Sequence, residues 1–127
     1  MTALLDTSVV VWLLRGDPDV RRILTSYDEF YINAVVLGEI LYGNAKAARP
    51  VDPAELQGWL LSEMQFLLIG VLTATWFGTI EHALRLRGVP LPSNDVWIAA
   101  TAMEYDLTLV TSDRHFERID GLKRVVL

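Results

Sequence analysis

Short apolar runs alternate along the chain with longer stretches of helical spacing. Thr2-Ala3-Leu4-Leu5 reads as a short buried strand, closed by the turn and cap formers Asp6, Thr7 and Ser8. A helix follows over 9–15 and stops at Gly16. Asp17-Pro18-Asp19 opens another, since proline is tolerated in a first turn. Residues 30–32 predict a second strand, and 33–48 a helix that ends before Arg49-Pro50. Asp52-Pro53-Ala54-Glu55 starts a helix towards Met64. Residues 66–72 predict a third buried strand, after which Thr73 or Thr75 opens a helix towards Gly88. Beyond the stiff connector Pro90-Leu91-Pro92, Ser93 or Asn94 caps a helix through Tyr105. A fourth strand over 107–111, a short helix over 116–119 and a last strand over 124–127 complete the pattern.

The strands are near-continuous apolar runs, not alternating ones, which is the signature of a sheet buried on both faces. The expected fold is therefore α/β: an α/β/α sandwich with a central parallel sheet of about four to five strands flanked by helices. At 127 residues, one core accounts for the whole length, so 1–127 is expected to be one domain.

Parallel sheets bind ligands at the edge where strands end and the next helices begin. Asp6 follows the first strand and Asp113 the fourth. Asp95 lies in the first turn of its helix, and Glu39 lies seven residues past Ile32, in the early turns of another. Four carboxylates from distant segments are thus expected on one rim. Each also has an ordinary structural reading. Asp6 and Asp95 could cap helices, Asp113 could close an Asx turn, and Glu39 could sit on the wet side of its helix. Together they favour a cation. Grouped carboxylates repel by several kcal/mol and raise one another's pKa, and divalent metal removes that cost. An all-oxygen set, with neither His82 nor His115 in it, favours Mg²⁺ or Mn²⁺ over zinc.

The segments around these acids resemble the motifs of the PIN-domain nucleases, and most closely those of the VapC-type ribonuclease toxins. Leu4-Leu5-Asp6-Thr7-Ser8-Val9-Val10 is similar to the first motif and Gly38-Glu39-Ile40-Leu41-Tyr42-Gly43 to the second. Residues 94–102, from Asn94-Asp95-Val96-Trp97, resemble the third, and 107–116, with Thr111-Ser112-Asp113, the fourth. Gly38 stands where alanine is frequent, and His115 where many relatives carry a further aspartate, a departure that bears on any auxiliary metal contact from that position. The resemblance implies a PIN-like nuclease domain with Mg²⁺- or Mn²⁺-dependent endoribonuclease activity. It also implies a homodimer, and a cognate antitoxin whose tail enters the acidic groove.

On that reading, cations held by Asp6, Asp95 and Asp113 offset the phosphodiester's charge and activate a water. Glu39 completes the shell or positions that water. In-line attack leaves a 3′-hydroxyl and a 5′-phosphate. Thr7, Ser8, Asn94, Thr111 and Ser112 are candidate donors to the carboxylates, as well as cap and turn residues. Arg15, Lys46, Arg49 and Arg114 are candidates to meet RNA phosphates, with solvated surface as their ordinary alternative.

Composition changes the picture in three ways. The absence of cysteine rules out disulfides, thiolate nucleophiles and sulfur-built zinc sites, and fits a reducing cytoplasm. The net charge of −5 argues against gripping nucleic acid by bulk positive charge, unless bound cations reverse the local field. The chain is 52% apolar with mean hydropathy +0.32. Its longest uncharged stretch, between Glu63 and Glu81, is polar-interrupted and too short for a bilayer, so no membrane role is expected. Nor does a basic segment mark a signal peptide. The surplus points to a filled core plus a partner surface. The segment 9–14, with Trp12, Trp59, Leu60 and Leu61, is either a buried helix packing or a dimer or antitoxin interface.

Rival readings fit less well. A receiver domain would need an adjacent acidic pair after its first strand, and Asp6 stands alone. No glycine-rich phosphate loop and no nucleophile elbow is present. The alternative of another class is a catalytically inactive PIN-like interaction module, whose acids would only bind a partner's arginines.

Overall fold

A computed structural model describes residues 1–127. Five strands, all parallel, form one sheet: β1 (Thr2–Leu5), β2 (Glu29–Asn33), β3 (Gln65–Leu67), β4 (Thr108–Thr111) and β5 (Arg124–Val126), in the order β3-β2-β1-β4-β5. Six α-helices flank it: α1 (Thr7–Leu14), α2 (Pro18–Leu24), α3 (Ala34–Ala45), α4 (Pro53–Glu63), α5 (Val71–Leu86) and α6 (Ser93–Glu104). A 3₁₀ turn covers Arg114–Arg118. This is the α/β/α sandwich the apolar runs predict.

β1 sits in the middle. Leu4 pairs with Tyr31 on one side and with Leu109 on the other, and Ala3, Leu4 and Leu5 have no exposed surface. The core built on it includes Val9, Val10, Ile32, Val36, Ile98, Leu109 and Phe116, all fully buried. Each such side chain contributes about 1.5–3 kcal/mol of transfer free energy. The strand order reverses between β1 and β4. The crevice beyond their C-terminal ends is therefore where a parallel sheet leaves room for a ligand.

Local chemistry sets the helix starts. Asp6 caps α1, Asp17 caps α2 ahead of Pro18, and Asp52 caps α4 ahead of Pro53; each side chain accepts from backbone N–H groups of the first turn. Helix α1 starts at Thr7, two residues before the expected Val9, because Asp6 itself is the cap. Asn33 caps α3, which ends at Ala45 rather than Ala48.

Two expectations change. The third strand is not a buried run over 66–72: β3 is a three-residue edge strand, and Leu68, Val71 and Leu72 are exposed. Only its β2 side is paired, so a longer apolar strand there would leave an open edge. Helix α5 accordingly begins at Val71. Gly70 takes the cap position, and its N–H donates to the Thr73 hydroxyl (3.0 Å). The cap of α6 is Pro92, not Ser93 or Asn94, and no side chain caps that helix. Pro92 O accepts from the Asp95 and Val96 N–H groups instead.

Helices α5 and α6 pack antiparallel. Thr73 near the start of α5 hydrogen-bonds Glu104 at the end of α6, and Phe77 stacks on Trp97 with ring centroids 4.2 Å apart. No helix is long and apolar enough to cross a membrane.

Candidate functional site

Asp6 leaves β1 with its backbone N–H still bonded to Val110 O (3.0 Å), so the central ladder fixes where its side chain starts. The side chain is only 6% exposed. Thr7 N–H donates to Oδ1 at 2.8 Å. Oδ2 accepts from the Ser8 hydroxyl at 3.1 Å and from the Thr111 hydroxyl at 2.7 Å. Burial pushes its carboxyl up from the ordinary carboxylate value; these three donors partly offset the rise, and Glu39 adds to it. Three donors from two elements hold this carboxylate in one orientation.

Thr111 ends β4 and is fully buried. Its hydroxyl donates to Asp6 and accepts from Asp113 N–H at 3.0 Å, so one oxygen links the two strand-end acids. Asp113 caps the 3₁₀ turn through His115 N–H (2.8 Å), and the His115 Nδ1 lies 3.3 Å from Asp113 Oδ1. The histidine thus faces Asp113 rather than standing apart from the rim. Ser112 N–H donates to the Ser8 hydroxyl (3.3 Å), which closes a chain of donors around Asp6.

Glu39 sits on α3, half-buried, and its Oε1 accepts from the Thr7 hydroxyl at 2.7 Å. Thr7 therefore serves two acids, Asp6 through its N–H and Glu39 through its hydroxyl. Asp95, in the first turn of α6, has its carboxyl raised to about 6. Burial is the largest cause, followed by the charges of Asp6, Asp113 and Glu39. The field of all three other acids is felt at one carboxyl, so the four segments do meet at one rim. They do not close on one point: no three acidic or histidine side chains are gathered tightly enough to hold an ion as they stand.

The other expected residues fall into place unevenly. Thr7, Ser8, Thr111 and Ser112 all take part in the donor network, whereas Asn94 is exposed and lines a cleft beside Glu39. Arg15 and Lys46 line a second cleft on the other flank of Glu39. Arg49 and Arg114 are exposed. Leu60 is fully buried and cannot be an interface residue, which corrects that expectation; Trp59 and Leu61 stay exposed.

Sequence reasoning missed one buried tie. Asn33 is fully buried at the end of β2. Its carbonyl oxygen caps α3 through Val36 N–H (3.0 Å), and its amide donates to the Thr101 hydroxyl on α6 (2.9 Å). That single side chain joins the helix carrying Glu39 to the helix carrying Asp95. The available signal was a lone polar residue directly after the apolar Tyr31-Ile32.

A parallel sheet with a crevice at its strand reversal, ringed by four acids, defines a class. The PIN domain model matches residues 3–122, and the chain belongs to that family. Within it, the chain is 26% identical to Ribonuclease VapC2 of Rickettsia felis over 127 residues, covering 96% of this chain and 95% of the relative. The fold matches that of VapBC2 from Rickettsia felis, bound to a DNA fragment from its promoter. There the TM-score is 0.87 at 24% identity, over 100% of this chain and 99% of the other. It also matches VapBC-5 from Mycobacterium tuberculosis, a member of the VapBC family of toxin–antitoxin systems. That match has a TM-score of 0.77 at 27% identity, over 99% and 98% of the two chains.

Proposed function

We propose that the chain is a divalent-metal-dependent endoribonuclease, the toxin of a toxin–antitoxin pair, with Asp6, Glu39, Asp95 and Asp113 as its metal-binding and catalytic residues. The observation that carries this reading is the network that ties Asp6 to Glu39 through Thr7 and to Asp113 through Thr111, at the rim where the carboxyl of Asp95 is raised to about 6 by burial and by the charges of the three other acids. A rim that accumulates unpaired negative charge at a cost to the free chain is built for a cation. The relatives' names, ribonuclease and toxin–antitoxin system, support the substrate and the pairing.

The donor set fits Mg²⁺ or Mn²⁺. Every candidate ligand is an oxygen, and three hydroxyls and a backbone N–H already hold Asp6 and Glu39. Asp6, Asp95 and Asp113 would hold a divalent cation there, which would offset the phosphodiester's charge and lower the pKa of a bound water. Asp6 cannot swing, so it serves as the fixed point of the site. Asp95 and Asp113 are less buried and adjust to it. Glu39 spends one oxygen on the Thr7 hydroxyl and keeps the other to orient the attacking water and take its proton. Attack in line on phosphorus breaks the bond to the leaving 3′-oxygen and gives a 3′-hydroxyl and a 5′-phosphate.

The antitoxin has a fitting surface. A cleft of about 380 Å³ between α1, α2 and α4 is walled by Leu13, Leu24, Tyr27, Phe30 and Trp59, with Arg21 and Glu63 at its rim. This suits an amphipathic partner segment. Exposed Leu68, Val71 and Leu72 offer a separate apolar patch for a homodimer.

The test is RNA cleavage by the purified chain, by the chain with a chelator, and by Asp6→Asn. Cleavage should vanish in both altered conditions while circular dichroism stays unchanged. Undiminished cutting by either would remove the metal site from the account, and a wild-type chain that cuts nothing would leave the inactive interaction module.

A further inference from the structure

The four acids of the rim are not held alike. Asp6 accepts from three donors, Glu39 from the Thr7 hydroxyl and Asp113 from His115 N–H. No donor holds the Asp95 carboxyl, and no side chain caps its helix. Where Asp95 stands is therefore decided by where α6 stands.

Two side chains from other elements reach α6 by hydrogen bond. Thr73 of α5 bonds Glu104 at the far end of the helix, and Asn33 bonds Thr101. Only Asn33 comes from the acid-bearing side of the fold. It ends β2 in register with Leu67 of β3, so the sheet fixes its backbone. Its carbonyl oxygen caps α3 and its amide donates to Thr101. The Thr101 hydroxyl donates onward to Trp97 O, two residues past Asp95. Asn33, Val36 and Thr101 have no exposed surface. Glu39 lies six residues past Asn33, and Asp95 lies six before Thr101. Each acid thus stands about 9 Å along its helix from the same buried bond.

We propose that Asn33 is a positioning residue for the metal site: through Thr101 it sets how far Asp95 stands from Glu39, and with that the affinity of the rim for its cation. The inference rests on the metal-nuclease reading and adds to it a residue that lies outside the rim. Packing alone would be served as well by two apolar side chains, which bury no polar atoms. Apolar packing defines place more loosely than a directed bond, which holds its two atoms within about half an ångström. The acids do not form a closed ligand set as they stand, so a cation must span whatever separation the helices leave. A misplacement of about 1 Å, made far from the chemistry, can cost on the order of a hundred-fold in rate.

The experiment uses the full chain and reads Mn²⁺ affinity by calorimetry, kcat and KM on RNA, and stability in urea. Thr101→Val keeps the shape of the side chain and the cap of α3 but removes the hydroxyl. It is expected to bind Mn²⁺ roughly ten-fold more weakly, comparable to losing a partner behind a metal ligand, and to lose kcat with KM for RNA unchanged. Thr101→Ser returns the hydroxyl and should restore both. If valine at this position prevents folding, Thr101→Ala carries the same comparison. Thr73→Val is the control, because it breaks the other tie of α6, at the end away from Asp95. It should lower stability in urea and leave Mn²⁺ affinity at the wild-type value. Wild-type Mn²⁺ affinity in the folded variant without the hydroxyl, or equal losses in it and in Thr73→Val, overturns the positioning role and leaves the metal site standing. So does a Thr101→Ser protein that binds Mn²⁺ no better than Thr101→Val. A wild-type chain that binds no Mn²⁺ overturns both.

Discussion

Asp95 differs from the acids that only begin helices. Asp17 and Asp52 spend their oxygens on backbone N–H groups, whereas Asp95 stands in an uncapped first turn and feels three like charges. Its folded carboxyl titrates at about 6, above the ordinary value of 3.8. The folded state therefore binds this proton more tightly than the unfolded chain does. Its stabilising contribution is complete below about pH 4 and is lost as pH rises through about 6. Burial raises Asp6 as well, so both acids act in the same direction. Without metal, the thermal midpoint should fall across that window, and Asp95→Asn should flatten the fall and exceed wild type at pH 7. Parallel pH profiles for the two proteins would contradict the raised carboxyl.

At the scale of elements, four of the five strands and the four acid positions were legible in the sequence. Uninterrupted runs such as Leu107-Thr108-Leu109-Val110 mark strands buried on both faces, and an acid directly after such a run must lie at the sheet's edge. The third strand was misjudged for a physical reason. Leu67-Leu68-Ile69 is as apolar as a central strand, but its place at the sheet's open side shows only in the strand order. Pairings between distant residues were equally out of reach. Asn33 and Thr101 are 68 positions apart, and no periodicity links them. That buried amide sets α3 against α6, hence Glu39 against Asp95. Asn33→Ala removes a cap and the amide donor to the Thr101 hydroxyl, which keeps its own bond to Trp97 O, and should cost about 1–2 kcal/mol in urea unfolding. Thr101→Val should cost less than Asn33→Ala, and the double variant less than their sum, since they share one interaction. Full additivity would mean the two helices are not coupled through this pair.

The molecule as a whole carries a net charge of −5 and gathers four of its carboxylates at the strand reversal. Both features are costs in the free chain, and both become advantages once a cation and an anionic strand arrive together. The sequence could place the acids on one rim. It could not show that their side chains stay too far apart to form a closed ligand set before metal binds. That spacing ties the whole account to one quantity, the affinity of the rim for a divalent ion. Calorimetric titration of the full chain with Mn²⁺ at pH 7.5 measures it directly. Wild type should bind, and Asp95→Asn should bind at least ten-fold more weakly. Equal Mn²⁺ affinity in the two proteins, or no binding by wild type, would contradict a metal site built on these acids.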